Sequence, residues 1–415
     1  MSLPSHVAAL VIGGGPAGSA TATFLRNAGV DVLLCDRAHF PRPKPCAEYL
    51  SPEASRVLSA LDALETVEAA GAAHLRGMRV RAANGAVIDG AFAAQHGFRG
   101  FRDRGLALRR DVLDTLLLER ARAAGTEVRE GVSLEGLTPR VRGRGYDVTV
   151  RHAGHTQTVH ADLVIGADGL RSRVARRLGV VRRARWPRRV AFVAHWRDVA
   201  EMGDKGEMHV QRDGYLGLAD VGGGLTNVAL VVPAAQARDA SADPDAFVRA
   251  WIQRRPHLAP RFVGAERVTP VRATGPFAVR TTRAWATDAA LVGDAADFYD
   301  PFTGEGIYAA LRGGELLAPF VVDALRAQSA DAARRALAAY ERARRDTFSG
   351  KWRVERLIGL AVGVPALMNH AARVLARRTD LADLLIGVTG DFVPAREVFR
   401  PGVLWRLVIP PLHSS

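Results

Sequence analysis

Residues 7–36 read VAALVIGGGPAGSATATFLRNAGVDVLLCD: an apolar run, a glycine-rich turn, a helix-like stretch and a second apolar run that ends on an acid. Gly13, Gly15 and Gly18 give the spacing G-x-G-x-x-G between a strand and a helix. The turn is tight, the backbone must approach a pyrophosphate, and the helix packs closely on the strand, so each glycine has a mechanical reason. The stretch predicts a strand–helix–strand unit that binds a dinucleotide.

Two further features of this unit support dinucleotide binding. Pro16 and Ala17 begin the helix, whose free N–H groups and positive dipole end favour phosphate. Asp36 lies 23 residues after Gly13, at the end of the second strand, where a carboxylate bonds a ribose hydroxyl.

The composition is that of a globular protein without a disulfide framework. Of 415 residues, 48% are hydrophobic and 24% are charged, and the two cysteines are Cys35 and Cys46. Such a length suggests two or three domains, and no Cys/His cluster has metal-ligand spacing. The N-terminus has no basic segment before the first strand, and no apolar run reaches about 18 residues. We therefore expect a cytoplasmic protein without a signal peptide or a membrane span.

The net charge of +14 predicts a solvated basic surface rather than a nucleic-acid site. The arginines are scattered through helices, and no aromatic-interleaved stripe accompanies them. Such a surface also attracts anionic cofactors, acidic partners or a membrane.

Hydrophobic patterning changes along the chain. Helical spacing predicts helices at 52–64 and 110–124, and shorter runs predict strands at 76–83, 86–92, 106–109, 126–129, 146–151, 157–161 and 162–166. From about 188 to 275, alternation and glycine-rich turns predict antiparallel strands at 190–196, 206–211, 215–220 and 226–232. A mainly helical part is expected after residue 306.

Two later segments carry a resemblance to a known family. They read GADGLRS at residues 166–172, and GDAA at 293–296 followed by DPFTGEGI at 300–307. Together with residues 13–18 they resemble the three fingerprints of the FAD-dependent family that holds aromatic hydroxylases and geranylgeranyl reductases. The resemblance covers most of the chain, is weakest in the sheet region and the C-terminal part, and implies bound FAD.

The resemblance also implies the fold class and the domain organisation. We expect an α/β protein with a Rossmann-like FAD-binding domain of the glutathione-reductase type, an inserted, mainly antiparallel sheet domain for the substrate, and a helical C-terminal part. The predicted FAD-binding domain comprises residues 1–75, 105–185 and 276–330. The substrate domain comprises 76–104 and 186–275, and the helical region 331–415.

The three motifs and the loop that follows residue 36 supply the predicted cofactor-binding residues. They are Gly13, Gly15, Pro16, Ala17, Gly18, Asp36, Arg37, Arg42, Cys46, Ala47, Arg110, Asp168, Gly169, Gly293, Asp294, Pro301, Gly304, Glu305, Gly306 and Ile307. No metal ligand is predicted.

Some of these residues have separate expected roles. The resemblance places Asp168 and Gly169 near both FAD and the nicotinamide donor, and Arg110 beside the flavin. A helix N-cap is the alternative for Asp168, and a solvated surface position is the alternative for Arg110. Asp294 can accept hydrogen bonds from ribityl hydroxyls. The helix start at Gly306 can stabilise negative charge on the flavin.

The loop RPKPCAE at residues 42–48 resembles the R-x-K-x-C-G segment of geranylgeranyl reductases, with Ala47 where glycine is usual. The thiol of Cys46, close to basic side chains, is a candidate proton donor or polar contact near the flavin, and a packing role is the alternative. Cys35 is assigned to the core. Cys46, Pro301 and Phe302 are the predicted catalytic residues.

Two reactions of this family are weighed, both with NAD(P)H as the electron donor. We favour a monooxygenase that hydroxylates a hydrophobic aromatic or polyketide-like molecule through a flavin C4a-hydroperoxide. The alternative, supported by Cys46, is a reductase of C=C bonds in a prenyl or isoprenoid substrate. Against it, the chain lacks an aromatic P-x-x-Y-x-W-x-F-P type segment and has GYLGLAD at 214–220 instead.

A flavin halogenase is less favoured because no two tryptophans lie two apart, so the W-x-W-x-I-P signature is missing. An electron carrier is the last alternative.

The substrate pocket is expected between the flavin and the sheet domain, with an apolar lining. His195, Tyr215 and Phe298 are its predicted residues. Strand alternation puts Ala191, Val193 and His195 on one face without indicating which face is inward. A hydrogen-bonded strand histidine is the alternative to a catalytic base at His195.

The apolar stretch 357–375 is interrupted by Pro365 and bracketed by arginines. It predicts either a helix pair packed on the sheet domain or a lid that touches a membrane surface. The expected partners are thus a hydrophobic small molecule and, peripherally, a membrane, whereas no oligomeric state is indicated.

Overall fold

The computed structural model describes residues 3–93, 97–141, 143–183, 188–238, 240 and 242–408. Within these ranges the strands are β1 His6–Ile12, β2 Val32–Cys35, β3 Tyr49–Leu50, β4 Ala73–Leu75, β5 Gly77–Arg81, β6 Val87–Ala91, β7 Gly105–Ala107, β8 Glu127–Arg129, β9 Ser133–Pro139, β10 Tyr146–His152, β11 His155–Gly166, β12 Val181–Arg183, β13 Arg189–Arg197, β14 Lys205–Gln211, β15 Gly214–Asp220, β16 Leu225–Pro233, β17 Glu266–Arg267, β18 Arg272–Thr274, β19 Val279–Thr281, β20 Trp285–Ala286, β21 Ala289–Leu291 and β22 Asp297–Phe298. The helices are α1 Pro16–Asn27, α2 Pro52–Ala60, α3 Leu64–Ala69, α4 Arg110–Ala123, α5 Arg173–Arg177, α6 Pro244–Gln253, α7 Gly306–Arg326, α8 Ala330–Gly363, α9 Pro365–Leu375, α10 Thr379–Thr389 and α11 Pro401–Val408.

The first sheet has the strand order β20-β21-β11-β1-β2-β8, with β10 and β9 continuing from β11. Strand β1 pairs in parallel with β2 and β11, and β11 pairs in parallel with β21. These strands are almost wholly apolar because helices cover the sheet, which is the usual reason for continuous hydrophobic runs in parallel strands. The predicted strands 157–161 and 162–166 form one strand, since no turn residue separates them.

Close glycine contacts fix helix α1 on this sheet. A Cβ at Gly18 would lie 1.8 Å from the Gly13 carbonyl oxygen, and one at Gly314 of α7 would lie 2.8 Å from the Thr21 backbone nitrogen. Only hydrogen fits at these points, so α1 and its N-terminus are held against the ends of β1 and β11. The predicted helix 52–64 is two helices instead, because Asp62 between them has φ 54°, which a helix cannot contain.

The second sheet has the order β17-β13-β16-β15-β14-β5-β6, with β18 beside β13. Phe192, Trp196 and Leu230 on one face pack with residues of α6. Ala191 and Val193 on the other face belong to a cluster that includes residues of α9 and α10. The inward side of β13, which the sequence left open, is therefore the face of Ala191 and Val193.

The C-terminal part is helical, as predicted. Helix α8 ends at Gly363 and α9 begins at Pro365, and their axes differ by 112°. In the described ranges no single helix has the length and apolarity of a membrane span, whereas α8 and α9 together pass the same criteria of length and composition. The predicted division into domains stays a prediction. Its boundary between residues 185 and 186 lies outside the described residues, as do parts of its terminal segments.

Candidate active site

A cavity of about 1130 Å³ lies between the two sheets. The turn before α1, the end of β11 and the start of α7 form one wall, and strands of the second sheet form the other. In an open α/β sheet the carboxyl ends of parallel strands are the usual place for a ligand. The position of this cavity therefore agrees with the nucleotide-binding unit at its wall.

Most of the predicted site residues meet at this cavity. Those that line it are Gly15, Pro16, Ala17, Cys46, Ala47, Arg110, Gly169, Tyr215, Asp294, Phe298, Pro301, Gly304, Gly306 and Ile307. They come from six separate stretches of sequence, which the fold brings together.

Other predicted residues lie behind the wall and shape it. Gly13 and Gly18 make the close backbone contact described above, and Gly293 has φ 61°. The Asp36 carboxylate accepts hydrogen bonds from the backbone nitrogens of Gly14 and Ala38, at 2.7 and 2.8 Å. Asp36 therefore fixes the glycine turn itself.

Three further predicted cofactor-binding residues do not line the main cavity: Arg37, Asp168 and Glu305. Arg37 is exposed. Asp168 accepts hydrogen bonds from the backbone nitrogens of Arg173 and Val174, at 2.6 and 3.3 Å, so it holds the start of α5, and its burial raises its pKa. Glu305 forms a 2.7 Å ion pair with Lys351 of α8.

The predicted pocket residue His195 and the predicted catalytic residue Phe302 do not line the main cavity. His195 Nε2 lies 2.7 Å from Glu48 Oε2 and its Nδ1 lies 3.2 Å from the Thr269 hydroxyl, so it is the hydrogen-bonded strand histidine of the alternative. The Phe302 ring packs edge-on against Tyr215, with centroids 5.0 Å apart, and lines a neighbouring cavity of about 410 Å³. Sequence alternation gives the face of a strand but not how far along it a cavity extends.

A buried charge cluster holds the Cys46 loop against α4. Arg110 donates two hydrogen bonds to the Asp114 carboxylate, at 2.7 and 2.8 Å, and Arg42 lies 3.2 Å from the same carboxylate. Burial opposes the charge on Arg110, but Asp114 and the adjacent Cys46 sulfur raise its pKa above the usual range. The Cys46 thiol thus faces a guanidinium that stays charged.

Lys44 and Asp294 are two half-buried charged residues of the cavity. Neither forms a hydrogen bond or an ion pair in the part of the chain that the structure describes. Burial, followed by repulsion from Arg110, lowers the pKa of Lys44. Burial raises the pKa of Asp294, although Lys44 and Arg110 act against that shift.

These orphan charges test whether the residues fit FAD. Ring carbonyl oxygens or phosphates would satisfy the Lys44 ammonium, and ribityl hydroxyls would satisfy Asp294. Gly169, next to Lys44 Nζ, has φ 74°, a conformation that favours glycine. The residues present fit the cofactor. Lys44 was expected only as one of the basic side chains close to Cys46, and it was not predicted as a cavity residue.

Comparison with known proteins identifies the family. The sequence profile described as FAD binding domain matches residues 6–351. The chain belongs to this FAD binding domain family. A digeranylgeranylglycerophospholipid reductase of Methanosarcina mazei is 29% identical over 330 residues, 77% of this chain and 75% of that protein. The menaquinone reductase of Mycobacterium tuberculosis is 26% identical over 422 aligned residues, 98% of this chain and 96% of that protein.

The solved structures include similar folds. CmlS, a flavin-dependent halogenase, superposes with a TM-score of 0.76 at 26% identity; 84% of this chain is covered, and the chain spans 63% of the halogenase. The protein is therefore an FAD-dependent oxidoreductase of the superfamily that holds geranylgeranyl reductases and aromatic hydroxylases, as its motifs indicated.

The strand wall of the cavity is mainly apolar, with Thr274 of β18 as a polar residue. The side chains of Ala191, Val193, Met208, Ala229, Val231 and Phe277 line it. The Tyr215 hydroxyl is turned away to donate a 2.8 Å hydrogen bond to Asp300. Burial, with the nearby carboxylate, raises the pKa of Tyr215 well above its usual range, so it offers no phenolate to a substrate. None of the six side chains that line the strand wall was predicted as a pocket residue. Once the inward face of β13 is known, the i, i+2 spacing identifies four of them: Ala191 and Val193 on β13, and Ala229 and Val231 on β16.

A second cavity, of about 860 Å³, lies behind the first turn of α7 and is covered by α8. Its lining is charged and includes Asp294, Asp297, Glu305, Arg344, Lys351, Glu355 and Arg356. Burial raises the pKa of Glu355 to about 7; Lys351 counteracts this shift and nearby carboxylates reinforce it. Glu355 is thus the acid of this cavity that titrates near neutral pH.

Replacing Lys44 by methionine is expected to have opposite effects on the apoprotein and on cofactor binding. Apoprotein stability rises slightly, because an ammonium that is partly removed from water and has no counter-ion is costly. FAD affinity falls about tenfold, because a charge-assisted hydrogen bond is lost. Thermal unfolding of the apoprotein and titration with FAD would measure the two effects. Lys205→Met is the control, since Lys205 pairs with Asp89 at the sheet edge; unchanged FAD affinity in Lys44→Met would contradict the assignment.

Replacing Glu355 by glutamine tests the titration in the second cavity. The folded-state pKa lies above the unfolded value of 4.5, so the folded protein binds the extra proton. The wild-type protein therefore loses about 1–3 kcal/mol as the pH rises from 4.5 through 7. Glu355→Gln removes that loss and raises the thermal midpoint at pH 8 but not at pH 5. Glu266→Gln, at an exposed position, should leave the pH profile unchanged. An equal effect of Glu355→Gln at both pH values would contradict the assignment.

Proposed function

We propose that the protein is an NAD(P)H-dependent reductase of C=C bonds in an isoprenoid lipid. The observation that carries the proposal is the division of the cavity: a free thiol and two cations lie at the end next to the nucleotide-binding turn, and a hydrocarbon lining extends from it. This reverses the preference drawn from sequence alone. The reductases among the relatives support the same choice.

The apolar lining suits a long hydrocarbon rather than a phenol. The neighbouring cavity shares Ala47, Met208, Gly217, Ala229, Pro301 and Gly304 with the main one and continues towards Leu75 and Met78. An elongated chain could lie along both cavities on the same sheet face. An aromatic hydroxylase substrate would need a polar anchor, and the polar groups of Tyr215 and His195 are engaged by Asp300 and Glu48.

Cys46 is the proposed proton donor. FAD, when bound, carries a hydride from NAD(P)H to one alkene carbon. The other carbon takes a proton from the Cys46 thiol, which recovers it from solvent, so NAD(P)H, H⁺ and the alkene give NAD(P)⁺ and the saturated bond. The Cys46 carbonyl accepts a 2.8 Å hydrogen bond from Asn227, and Arg110 contacts the sulfur. These contacts orient the thiol.

A third cavity, of about 1430 Å³, suits the phosphates of NAD(P)H. It joins the main cavity at Leu170 and Phe277 and is lined by Arg171, Arg176 and Arg188. Arg171 donates a 2.8 Å hydrogen bond to the Gly275 carbonyl, which leaves the rest of its guanidinium for a ligand. Arginine forks bind phosphate oxygens strongly.

The double variant Arg176→Ala, Arg188→Ala is expected to raise the KM for NAD(P)H about tenfold with little change in kcat, since only binding is weakened. Steady-state NAD(P)H oxidation would measure it. Arg335→Ala, an exposed arginine on α8, is the control. An equal loss of kcat with unchanged KM would argue against this dinucleotide site.

Anaerobic turnover tests the reaction. The protein is incubated with FAD, NAD(P)H and a polyprenyl substrate without oxygen, and the product is analysed by mass spectrometry. The expected product gains two hydrogens, one of them deuterium when the reaction is run in D₂O. Cys46→Ala is expected to slow this step at least 100-fold while FAD reduction by NAD(P)H stays at the wild-type rate. Cys35→Ala is the control, because burial raises the pKa of the Cys35 thiol to about 12 and keeps it inert within β2.

A monooxygenase is the second candidate. Gly217 opposes Met208, where a Cβ would lie 3.2 Å from the sulfur, and the missing side chain leaves a flat slot for an aromatic ring. The same experiment separates the two reactions. No product without oxygen, together with ¹⁸O incorporation from ¹⁸O₂ when oxygen is present, would replace the reductase by the monooxygenase.

A further inference from the structure

Seven large apolar side chains are exposed together near the C-terminus. Leu357, Leu360, Val364, Leu367, Leu404, Trp405 and Val408 are each at least 39% exposed, and Trp405 and Val408 reach 67%. They form what we call the C-terminal apolar face. Scattered exposed apolar residues are ordinary, but a contiguous set marks a surface that binds something.

The three helices that carry this face are neighbours. Leu357, Leu360 and Val364 follow one stripe at the end of α8, and Leu367 comes in the first turn of α9 after the bend. Helix α11 packs on α9, and His370 Nε2 lies 3.0 Å from the Val408 carbonyl oxygen. The exposed residues of α11 therefore continue the same surface.

The surroundings of the face are basic. Between residues 352 and 408 the sequence has eight arginines and no lysine, against five acids. The acids are engaged or buried: Glu397 pairs with Arg400, Asp391 with Lys351, Asp380 with Arg406, Asp383 accepts a hydrogen bond from Ala91, and Glu355 lies in the second cavity. Arg353, Arg373 and Arg377 are exposed and make no ion pair with a described residue. An apolar strip among free guanidinium groups matches an anionic lipid surface.

The same helices close the substrate side of the molecule. Met368, Ala372 and Leu375 on the inner side of α9 belong to the cluster that contains Ala191 and Val193 of the cavity wall. One layer of helix thus lies between the wall strands and the exposed face. A partner that dissolves hydrocarbon at the outer side would bring an apolar substrate within about 10 Å of that cluster.

We propose that the C-terminal apolar face binds the surface of an anionic membrane. Leu357, Leu360, Leu367 and the α11 side chains enter the acyl boundary, and the free arginines contact lipid phosphates. Trp405 takes the interfacial position that tryptophan favours. A second copy of this chain is the competing occupant, and the charge argues against it because two faces rimmed by arginine repel each other.

Vesicle binding by the FAD-loaded protein tests the proposal. Phosphatidylcholine vesicles with and without phosphatidylglycerol are sedimented with the protein, and tryptophan emission is recorded. Binding is expected to be at least tenfold tighter with phosphatidylglycerol and to shift the emission to shorter wavelength. Trp405→Phe abolishes the shift, and Leu360→Asp with Leu367→Asp lowers vesicle binding at least tenfold.

Matched controls keep the test decisive. Val263→Asp changes a valine that is 81% exposed outside this face and is expected to bind vesicles like the wild type. FAD absorbance and the thermal midpoint verify that each variant is folded. Light scattering after gel filtration reports dimers. Loss of a dimer in Leu360→Asp, Leu367→Asp with no vesicle binding by the wild type would overturn the proposal in favour of a dimer interface. Equal binding by all variants would overturn it as well.

An activity measurement distinguishes failure of the membrane proposal from failure of the proposed reaction. Only this measurement, and not vesicle binding, rests on the proposed function. A polyprenyl substrate embedded in anionic vesicles is expected to be reduced at least tenfold more slowly by Leu360→Asp, Leu367→Asp, whereas a short substrate dispersed in detergent is reduced at the wild-type rate. If neither substrate is reduced by the wild type but vesicles still bind through the face, the reductase proposal fails and the membrane proposal stands.

Discussion

The buried carboxylate of Asp300 joins the two sheets at the active site. It lies 2.7 Å from Arg189 Nη1 at the start of β13, and it accepts hydrogen bonds from the Tyr215 hydroxyl and the Phe302 backbone nitrogen. Removing such a carboxylate would leave the Arg189 guanidinium buried without its charge partner, which typically costs about 3–5 kcal/mol. Because Pro301 follows directly, this pairing sets how far residues 301–304 lie from the strand wall. The width of the cavity therefore depends on Asp300.

The charged side chains and the apolar side chains of the cavity lie on opposite walls, and this separation orients any ligand. Lys44, Arg110 and Asp294 belong to the wall built by the nucleotide-binding sheet and the loop before α2. The strand side chains of the opposite wall end mainly in methyl groups, a thioether or rings, and Thr274 adds one hydroxyl. A ligand with an anionic, hydroxyl-rich part and an apolar part can satisfy both walls in one orientation only. The loop of Cys46 lies at the border between them, since Cys46 lines the cavity and its carbonyl accepts a hydrogen bond from Asn227 of β16.

The sequence predicted the nucleotide-binding half well because its signals are local. A glycine that contacts a carbonyl oxygen, a proline at a helix start and an uninterrupted apolar strand are each required by the backbone next to them, so Gly13, Gly18 and Pro16 could be identified without tertiary information. The strand wall was predicted less well. Alternation gave two faces for β13, and only the position of α6 on the side of Phe192 and Trp196 decides which face is inward.

Long-range partners explain the other differences between prediction and structure. His195 is hydrogen-bonded to Glu48, which is 147 residues away, and Glu305 forms an ion pair with Lys351 of α8. No local sequence pattern predicts such pairings. Lys44 is the converse case, because its importance comes from a partner that the chain does not supply. Chain order alone places Lys44 between two prolines in a loop, and only its burial beside Arg110 makes it a group that a ligand must neutralise.

The bend between α8 and α9 gives the C-terminal helices two apolar sides with different tasks. Inward-facing Met368 and Ala372 complete the core beneath the second sheet, while Leu360 and Leu367 point away from it. A straight continuation of α8 past Gly363 would carry its apolar stripe beyond the sheet edge, where neither the core nor α11 could reach it. Pro365 fits the first turn of a new helix because that position needs no N–H donor, and the turn folds the stripe back over the sheet. The break between the two helices thereby lets α9 pack beneath the second sheet and leaves its other side exposed as an apolar surface with arginines around it.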